Sequence, residues 1–452
     1  MEYPGTKLIR PYRRAIFIVF VVAFFIISPI IILYTAGYRY DWTNGFLKET
    51  GAISIDVEPK NALVFLNDAR IKKRMPIRLK NYKPGKYHLV ISASGYYDWV
   101  KDIEVKSRQT VYIKEVALLK KNEPIKIKSG NFDGLAISND GVFIAFTQKN
   151  KSITEVWLLN NKTGDENILL RVPDIKQLKI MWAQKNNYLS ISDAGSPYRQ
   201  LFIFNADNPT SQWNLVQKIK SAVEKFQWKN SENPELFFSA GKQISVFYPA
   251  TGQQTDIAKN IFLDWYFENG QMWAIRRDDK TKLYVITKDT LGFSSELISS
   301  DKIFEYNSGN EKNPPINLIA ASEDCALLKK KDKPEMLLVS KDKKFTLSGE
   351  KFLISKYNDW WLMWTPWELW SFSVRDNEPA LLSRSGEQLQ EVMTLDKYNT
   401  LGLMWADKTT AIFPYYLVAH EFINNKIISS ADDSESRIMY YTDESGLWKL
   451  NY

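Results

Sequence analysis

Cysteine occurs once in the 452 residues and histidine twice. A single thiol excludes an intramolecular disulfide framework and any cysteine-based zinc or iron–sulfur centre. His88 and His420 are too few for most multi-histidine metal sites. Cys325 lies in the apolar, strand-like run Asp324–Cys325–Ala326–Leu327–Leu328 and reads as a small core residue rather than a nucleophile. Neither sign of charge dominates, since 60 basic against 52 acidic residues leave +8, a weak excess for this length. GxSxG, HExxH, phosphate-loop and dinucleotide patterns are all missing. What is abundant is aromatic residues, 14% of the chain, which suits a large β-rich fold better than a helical one. With 44% hydrophobic and 25% charged residues, the composition is that of folded domains, two to four at this length.

Only one long apolar run exists, Ala15 to Leu33, nineteen residues without charge. As a helix it spans about 28 Å, close to the roughly 30 Å of a bilayer core. Lys7, Arg10, Arg13 and Arg14 precede it against Glu2 alone, while Arg39 and Asp41 after it nearly cancel. The positive-inside rule then places residues 1–14 in the cytoplasm and the chain after about residue 35 outside. Tyr12 on one side, and Tyr34, Tyr38, Tyr40 and Trp42 on the other, form an interfacial belt. A cleaved signal peptide is the rival, but Tyr34–Thr35–Ala36–Gly37 is a poor small-x-small site and the run exceeds a usual signal core. The reading is an uncleaved, single-pass signal anchor over 15–34, followed by a juxtamembrane linker over 35–50.

Residues 51–118 alternate in strand fashion, with Ile53, Ile55 and Val57 set between Ser54 and Asp56. Short strands at Leu63–Leu66, Met75–Leu79 and Tyr87–Ile91 follow, separated by turns such as Tyr82–Lys83–Pro84–Gly85. Six or so strands with no helical pattern predict a small β-sandwich-like domain. Gly51–Ala52–Ile53, Val57–Glu58–Pro59, Leu66–Asn67–Asp68, Pro84–Gly85–Lys86–Tyr87 and Ser94–Gly95–Tyr96–Tyr97–Asp98–Trp99 resemble a PEGA domain, a module of bacterial envelope proteins. Asp68 stands where that family usually has glycine, and Arg74–Met75–Pro76 where it usually has Gly–Thr–Pro. The resemblance implies a structural or binding module without catalytic residues. Tyr96 is the candidate sugar-contacting aromatic, with Tyr97 and Trp99 assigned to the core, and His88 reads as a solvent-facing residue without a partner. Residues 119–130, rich in lysine, read as a linker.

Across 131–452 a unit of strand, hairpin, strand and polar turn recurs, marked by Trp182, Trp228 and Trp265 at intervals of 46 and 37 residues. About 320 residues divided by seven give about 46, within the 40–50 that a four-stranded blade needs. The expected fold class is therefore all-β: one transmembrane helix, the small sandwich, and a seven-bladed β-propeller, with eight blades as the next choice and stacked β-sandwiches as the alternative. The first unit, with Ser138, Asp140, Gly141, Ile144, Ala145, Phe146, Trp157, Thr163 and Gly164, resembles TolB-type envelope propellers. The final strands, 438–441 and 447–450, are expected to share a blade with strands from 131–146 and so close the ring.

No catalytic residue, metal ligand or cofactor emerges. His420 beside Glu421 is not a catalytic pair, because adjacent strand residues face opposite sides. Asp432–Ser436 reads as a solvated acidic loop rather than a calcium site. The charged segments at 276–280, 329–333 and 341–344 read as hairpin tips without the interleaved aromatics of a nucleic-acid groove. Trp360, Trp361, Trp364, Trp367 and Trp370 crowd into eleven residues, and Trp361, Trp364 and Trp367 are the candidate docking residues of the propeller. Two functions fit these features. The first is a membrane-anchored, extracytoplasmic binding or scaffold protein of the cell envelope, docking a protein, peptide or glycan. The second is a propeller hydrolase or lyase using carboxylates at the central channel.

Overall fold

The computed structural model describes residues 10–35, 38–41, 46–173, 178–195, 197–241, 243–259, 262–268, 271–277, 281–287, 304–306, 316–322, 325–330, 333–340, 343–355, 357 and 360–452. Trp42, the tail residues Glu2 and Lys7, and the tips around 278–280, 331–332 and 341–342 lie outside the described residues. The chain divides into two compact units, 1–120 and 121–452.

Helix α1 (Arg10–Thr35) runs through the apolar segment and starts earlier than the expected anchor. Phe17, Phe20 and Phe25 are each at least two-thirds exposed, and among the described residues none of the apolar stretch is buried. A helix apolar on every side needs a non-aqueous surrounding. The 24 residues from Tyr12 to Thr35 reach about 36 Å, enough for a bilayer core. Arg13, Arg14 and Tyr34 are exposed at its ends, and Arg10 is its first residue. Among the described residues it is the one helix of such length and character.

The stretch after it is not an unstructured linker. Tyr38–Asp41 and Phe46–Glu49 pair antiparallel as a ribbon. Glu49 accepts from Tyr38 Oη at 2.9 Å and pairs with Arg108 at 2.5 Å, and the Arg108 guanidinium also contacts the Tyr38 ring. Hydrogen bonds from Ser107, Arg108 and Tyr38 hold the Glu49 carboxyl below its ordinary pKa. The sandwich then forms from two sheets. One has the order Ile77–Tyr82, Gly51–Glu58, Thr110–Ala117, and the other Ala69–Ile71, Leu63–Leu66, Gly85–Ser92, Trp99–Val105. Ile53, Ile55, Val57, Leu89, Ile91 and Trp99 are buried between them. The two-residue turn at Asn67–Asp68 has both residues at positive φ, 48° and 64°, the geometry that lets a tight hairpin follow strand twist. Asn67 Oδ1 accepts from His88 N at 2.8 Å, which fixes the asparagine in that strained region. His88 does have a partner, Asp102 Oδ1 at 2.7 Å.

Among the described residues the second unit holds eight four-stranded sheets, so the ring has eight blades and not the seven favoured from length. Seven blades run in chain order: blade 1 (132–173), blade 2 (178–214), blade 3 (225–259), blade 4 (262–306), blade 5 (316–348), blade 6 (351–384) and blade 7 (391–423). Blade 8 combines Ser429–Asp433, Ile438–Thr442 and Gly446–Asn451 with Ile125–Ser129. The length estimate fell short because blades begin as little as 35 residues apart, at 316 and 351, and because the last blade borrows a strand from before the first. First strands of neighbouring blades lie against one another, as for Phe132–Ile137 with Leu178–Trp182 and with Ser429–Asp433. That contact defines a radial arrangement around the first strands.

The hydrophobic clusters fall between blades rather than within them. Phe143, Val156 and Leu158 of blade 1 meet Leu189, Ile191 and Phe204 of blade 2. Leu201 and Ile203 of blade 2 meet Phe226, Trp228 and Phe238 of blade 3. Phe237 of blade 3 stacks on Phe267 of blade 4, ring centroids 4.1 Å apart. Cys325 is buried within the joint core of blades 4, 5 and 6. A single blade thus buries its faces only against neighbours.

Ring closure uses the segment expected to be a linker. Ile125–Ser129, and not a strand from 131–146, pairs antiparallel with Gly446–Asn451. Gly446 is required there, because a Cβ on it would lie 2.2 Å from Lys128 O. Asn122 Nδ2 donates to Asn451 O at 2.9 Å, and Lys128 pairs with Glu166 of blade 1. Across the seam, Phe132, Ile144 and Phe146 pack with Tyr440 and Leu447, and Asn161 Nδ2 donates to Tyr440 Oη at 2.7 Å. Asp432 and Asp433 belong to the first strand of blade 8 rather than to an acidic loop, and Asp432 accepts from Tyr452 Oη at 2.5 Å.

Candidate docking face of the propeller

The blade 6 turn Thr365–Pro366–Trp367 is built by its threonine. Thr365 Oγ1 accepts from Trp367 N and Glu368 N, both at 3.2 Å, while Thr365 N donates to Glu368 O at 2.9 Å. A hydroxyl that takes local amide protons stabilises a tight reversal. The connection from blade 6 to blade 7 is drawn onto this turn by Leu389 N to Pro366 O at 2.8 Å and Ser385 N to Trp367 O at 3.0 Å. Gln390 N then donates to Met404 O at 2.8 Å, which docks the same connection on blade 7.

A cavity of about 550 Å³ opens between these pieces, lined from blade 6 (Lys351, Trp364, Thr365, Pro366), blade 7 with its lead-in (Gln388 to Glu391, Met404), and the entry to blade 8 (Ile428, Ser429, Ser430). Lys351 Nζ donates to Gln390 O at 2.7 Å and to Glu391 Oε2 at 3.0 Å, joining the starts of two adjacent first strands. Both side chains of that ion pair are about half exposed, so it orients the wall more than it stabilises the fold. Ser430 Oγ donates to Met404 Sδ at 3.1 Å. Trp364 is 2% exposed, and its indole Nε1 is buried without a hydrogen-bond partner. Below the turn, the Glu368 carboxyl is held under its ordinary pKa by the Trp370 indole N–H and then by Arg384.

The candidate aromatics separate. Trp367 is 47% exposed on the turn that forms the cavity wall. Trp361 and Trp364 are buried and are not open platforms, and the reason is strand alternation. Trp360, Leu362 and Trp364 point into the core shared with blade 7, whereas Trp361 and Met363 point into the core shared with blade 5. Trp364 only borders the cavity. Tyr96 is half-buried and bridges to Lys120 through its backbone, so it is not an exposed sugar platform. Lys351, Glu391 and Ser430 were missed from the sequence. No local motif links them, and only the position of each at or near the start of its blade's first strand hints at a shared face.

Carboxylates on the first strands are held by neighbours rather than gathered. Asp264 accepts from Lys225 Nζ at 2.9 Å and from Leu318 N at 2.6 Å, and Glu268 accepts from Tyr266 Oη at 2.8 Å. Among the described residues no three His, Cys, Asp or Glu side chains come together as a metal-holding group. His420 stacks edge-on against Phe413 at 6.2 Å, and Glu421 faces Lys408 at 3.4 Å.

A second exposed apolar feature is the turn between the last two strands of blade 7. Tyr415 and Leu417 are 52% and 65% exposed there, and Tyr415 packs on Trp360 at 5.0 Å. Leu417 sits at φ 52°, where the matching turns carry Gly164, Gly252 and Asn377.

The chain is similar to the computationally designed Ika8 protein (11% identity, 72% of this chain and 98% of that one, TM-score 0.44). It is also similar to the Dos1 propeller (10% identity, 73% and 94%, TM-score 0.44) and to Kluyveromyces lactis Hsv2 (12% identity, 66% and 99%, TM-score 0.39). The propeller assignment rests on strand topology, not on these likenesses. No curated protein matches the chain. Residues 50–120, the two-sheet sandwich with its buried Trp99, match the family model of the PEGA domain, and the chain carries that domain in its first unit.

Proposed function

We propose that the protein is a single-pass, membrane-anchored binding or scaffold protein of the cell envelope. Its N-terminus is cytoplasmic and its propeller docks a protein, peptide or glycan at the cavity between blades 6, 7 and 8. The observation that carries this reading is the cavity itself. It is concave, about 550 Å³, with a mostly polar lining in which Lys351, Gln388, Gln390, Glu391 and Ser430 stand beside apolar surface from Pro366, Leu389 and Met404. An exposed tryptophan stands on the same turn. That combination suits recognition, because a concave site with several placed polar groups can orient a ligand while the adjacent exposed indole of Trp367 supplies apolar contact. The basic residues Lys7, Arg10, Arg13 and Arg14 before the apolar run, against the balanced charge after it, support the orientation. The enzyme reading has less support, because Asp264 and Glu268 are each engaged by a neighbour and Glu391 is paired with Lys351.

A photo-crosslinking residue placed at Trp367 or Gln388, in membranes of cells making the full chain, tests the site. An adduct of defined mass from both positions, absent from a control at Asn377 and lost on Glu391→Arg, is the expected result. Equal labelling at Asn377, or no adduct at the two cavity positions, would contradict it.

A further inference from the structure

Charge is divided unequally between the units. Residues 1–120 contain 20 Lys and Arg against 10 Asp and Glu, whereas residues 121–452 contain 40 against 42. Within the first unit the excess narrows to one stretch. From Ala69 to Lys86 there are eight basic residues, Arg70, Lys72, Lys73, Arg74, Arg78, Lys80, Lys83 and Lys86, and no acid. All eight are exposed, and among the described residues none forms an ion pair.

The topology gathers seven of them, Lys86 lying instead on the inner strand Gly85–Ser92 opposite Glu104. Ala69–Ile71 is an edge strand of the four-stranded sheet, Ile77–Tyr82 is an edge strand of the three-stranded sheet, and Lys72–Lys73–Arg74 lie on the crossing between the two. One edge of the sandwich is therefore a continuous line of uncompensated cations. On Ile77–Tyr82, Ile77 and Leu79 are buried while Arg78 and Lys80 face outward, so the charge costs the core nothing. The line begins where the membrane tether enters. Gly51 pairs with Tyr82, placing the Lys83–Pro84 turn beside the end of the ribbon that Glu49 and Arg108 fasten. Each ribbon arm has four residues, about 13 Å at strand rise. Tyr82 and Tyr87 pack edge to face at 5.7 Å in the same turn, an amphipathic pair suited to headgroup depth.

We propose that this basic edge binds anionic phospholipid headgroups of the bilayer that holds α1, laying the PEGA sandwich against the membrane surface. Cations within a Debye length of such a surface, about 8 Å at physiological salt, are drawn to it. A tether of this reach keeps the edge at high effective concentration over the lipid. Lysine and arginine on an open strand edge also discourage edge-to-edge pairing between molecules. That role predicts no preference for lipid charge.

The test reconstitutes the full chain into nanodiscs of phosphatidylcholine, with or without phosphatidylglycerol, and follows amide hydrogen exchange. The expected result is exchange slowed about tenfold over 69–86 in the anionic discs alone, reversed by high salt, with 99–105 unchanged. Lys72→Gln with Lys73→Gln and Arg74→Gln should abolish the difference, and the matching Lys72→Arg and Lys73→Arg changes should keep it. Equal exchange in both lipids for the unaltered chain would overturn the proposal, with no variant needed. Protection by a soluble polyanion together with none from anionic lipid would also overturn it. So would variants that only aggregate while the unaltered chain ignores lipid charge.

Discussion

The sandwich leaves Ala69–Ile71 and Ile77–Tyr82 on open edges and lines them with Arg70, Arg78 and Lys80. The propeller instead pairs Ile125–Ser129 with Gly446–Asn451 and turns the first and last parts of the unit into one blade. Two ways of handling unpaired strand groups stand side by side in one chain. A module of about 70 residues cannot curve far enough to meet itself, so charge protects its edges. Eight blades can close, and closure replaces charge with hydrogen bonds and the Phe132–Tyr440 seam. The basic edge contributes most of the first unit's excess of cations, while the second unit is nearly neutral.

The comparison can be broken at either end. Trp99→Ala should cost the sandwich about 3–5 kcal/mol, because it empties the centre of a small core. Calorimetry of the full chain should then lose or lower the sandwich transition and leave the propeller transition in place. Gly446→Val should cost the propeller about 3 kcal/mol or somewhat less, since the new side chain meets the Lys128 carbonyl. Gly386→Ala, with open space around it, is the matched control and should melt like the unaltered chain. A Gly446→Val protein that melts with that control would mean the seam contributes nothing.

Smaller changes sharpen the picture within the ring. Leu417→Asn should stabilise by about 0.5–1 kcal/mol, because asparagine tolerates the left-handed region better than leucine. A chemical denaturation midpoint that falls instead would assign the exposed leucine a packing role. At high pH, burial and then the nearby Asp443 push the Tyr441 hydroxyl up to about 12. An unfolded tyrosine loses its proton near 10, so between about pH 10 and 12 the unfolded chain binds fewer protons and stability falls as pH rises. Tyr441→Phe should flatten that part of the stability curve, and an unchanged slope would assign the loss to other groups.

Much of this architecture was legible, and the gaps have physical causes. Period-two alternation at Ile53, Ile55 and Val57 gave the sandwich core directly, and Trp182, Trp228 and Trp265 mark first strands in three successive blades. Length favours seven blades over the eight observed because the closing strand hides in a lysine-rich stretch. Lys126 and Lys128 read as linker until their pairing with Trp448 and Leu447 is known. The tryptophan cluster misled for a related reason. Alternation along Trp360–Trp364 sends rings to both faces, and in a ring of blades both faces are interior. Trp367, placed on a turn, is exposed, and Trp370 is half-buried. Lys351 and Glu391 meet solely because neighbouring first strands begin side by side, a relation without any local sequence signature.

Ring closure by a strand from the N-terminal side is the claim on which the propeller account stands, and native-state amide exchange across Ile125–Ser129 addresses it most directly. The account predicts that the Ile125–Ser129 amides bonded to the last strand exchange together with their partners in Gly446–Asn451. Rapid exchange at Ile125–Ser129 while Gly446–Asn451 remains protected would contradict it.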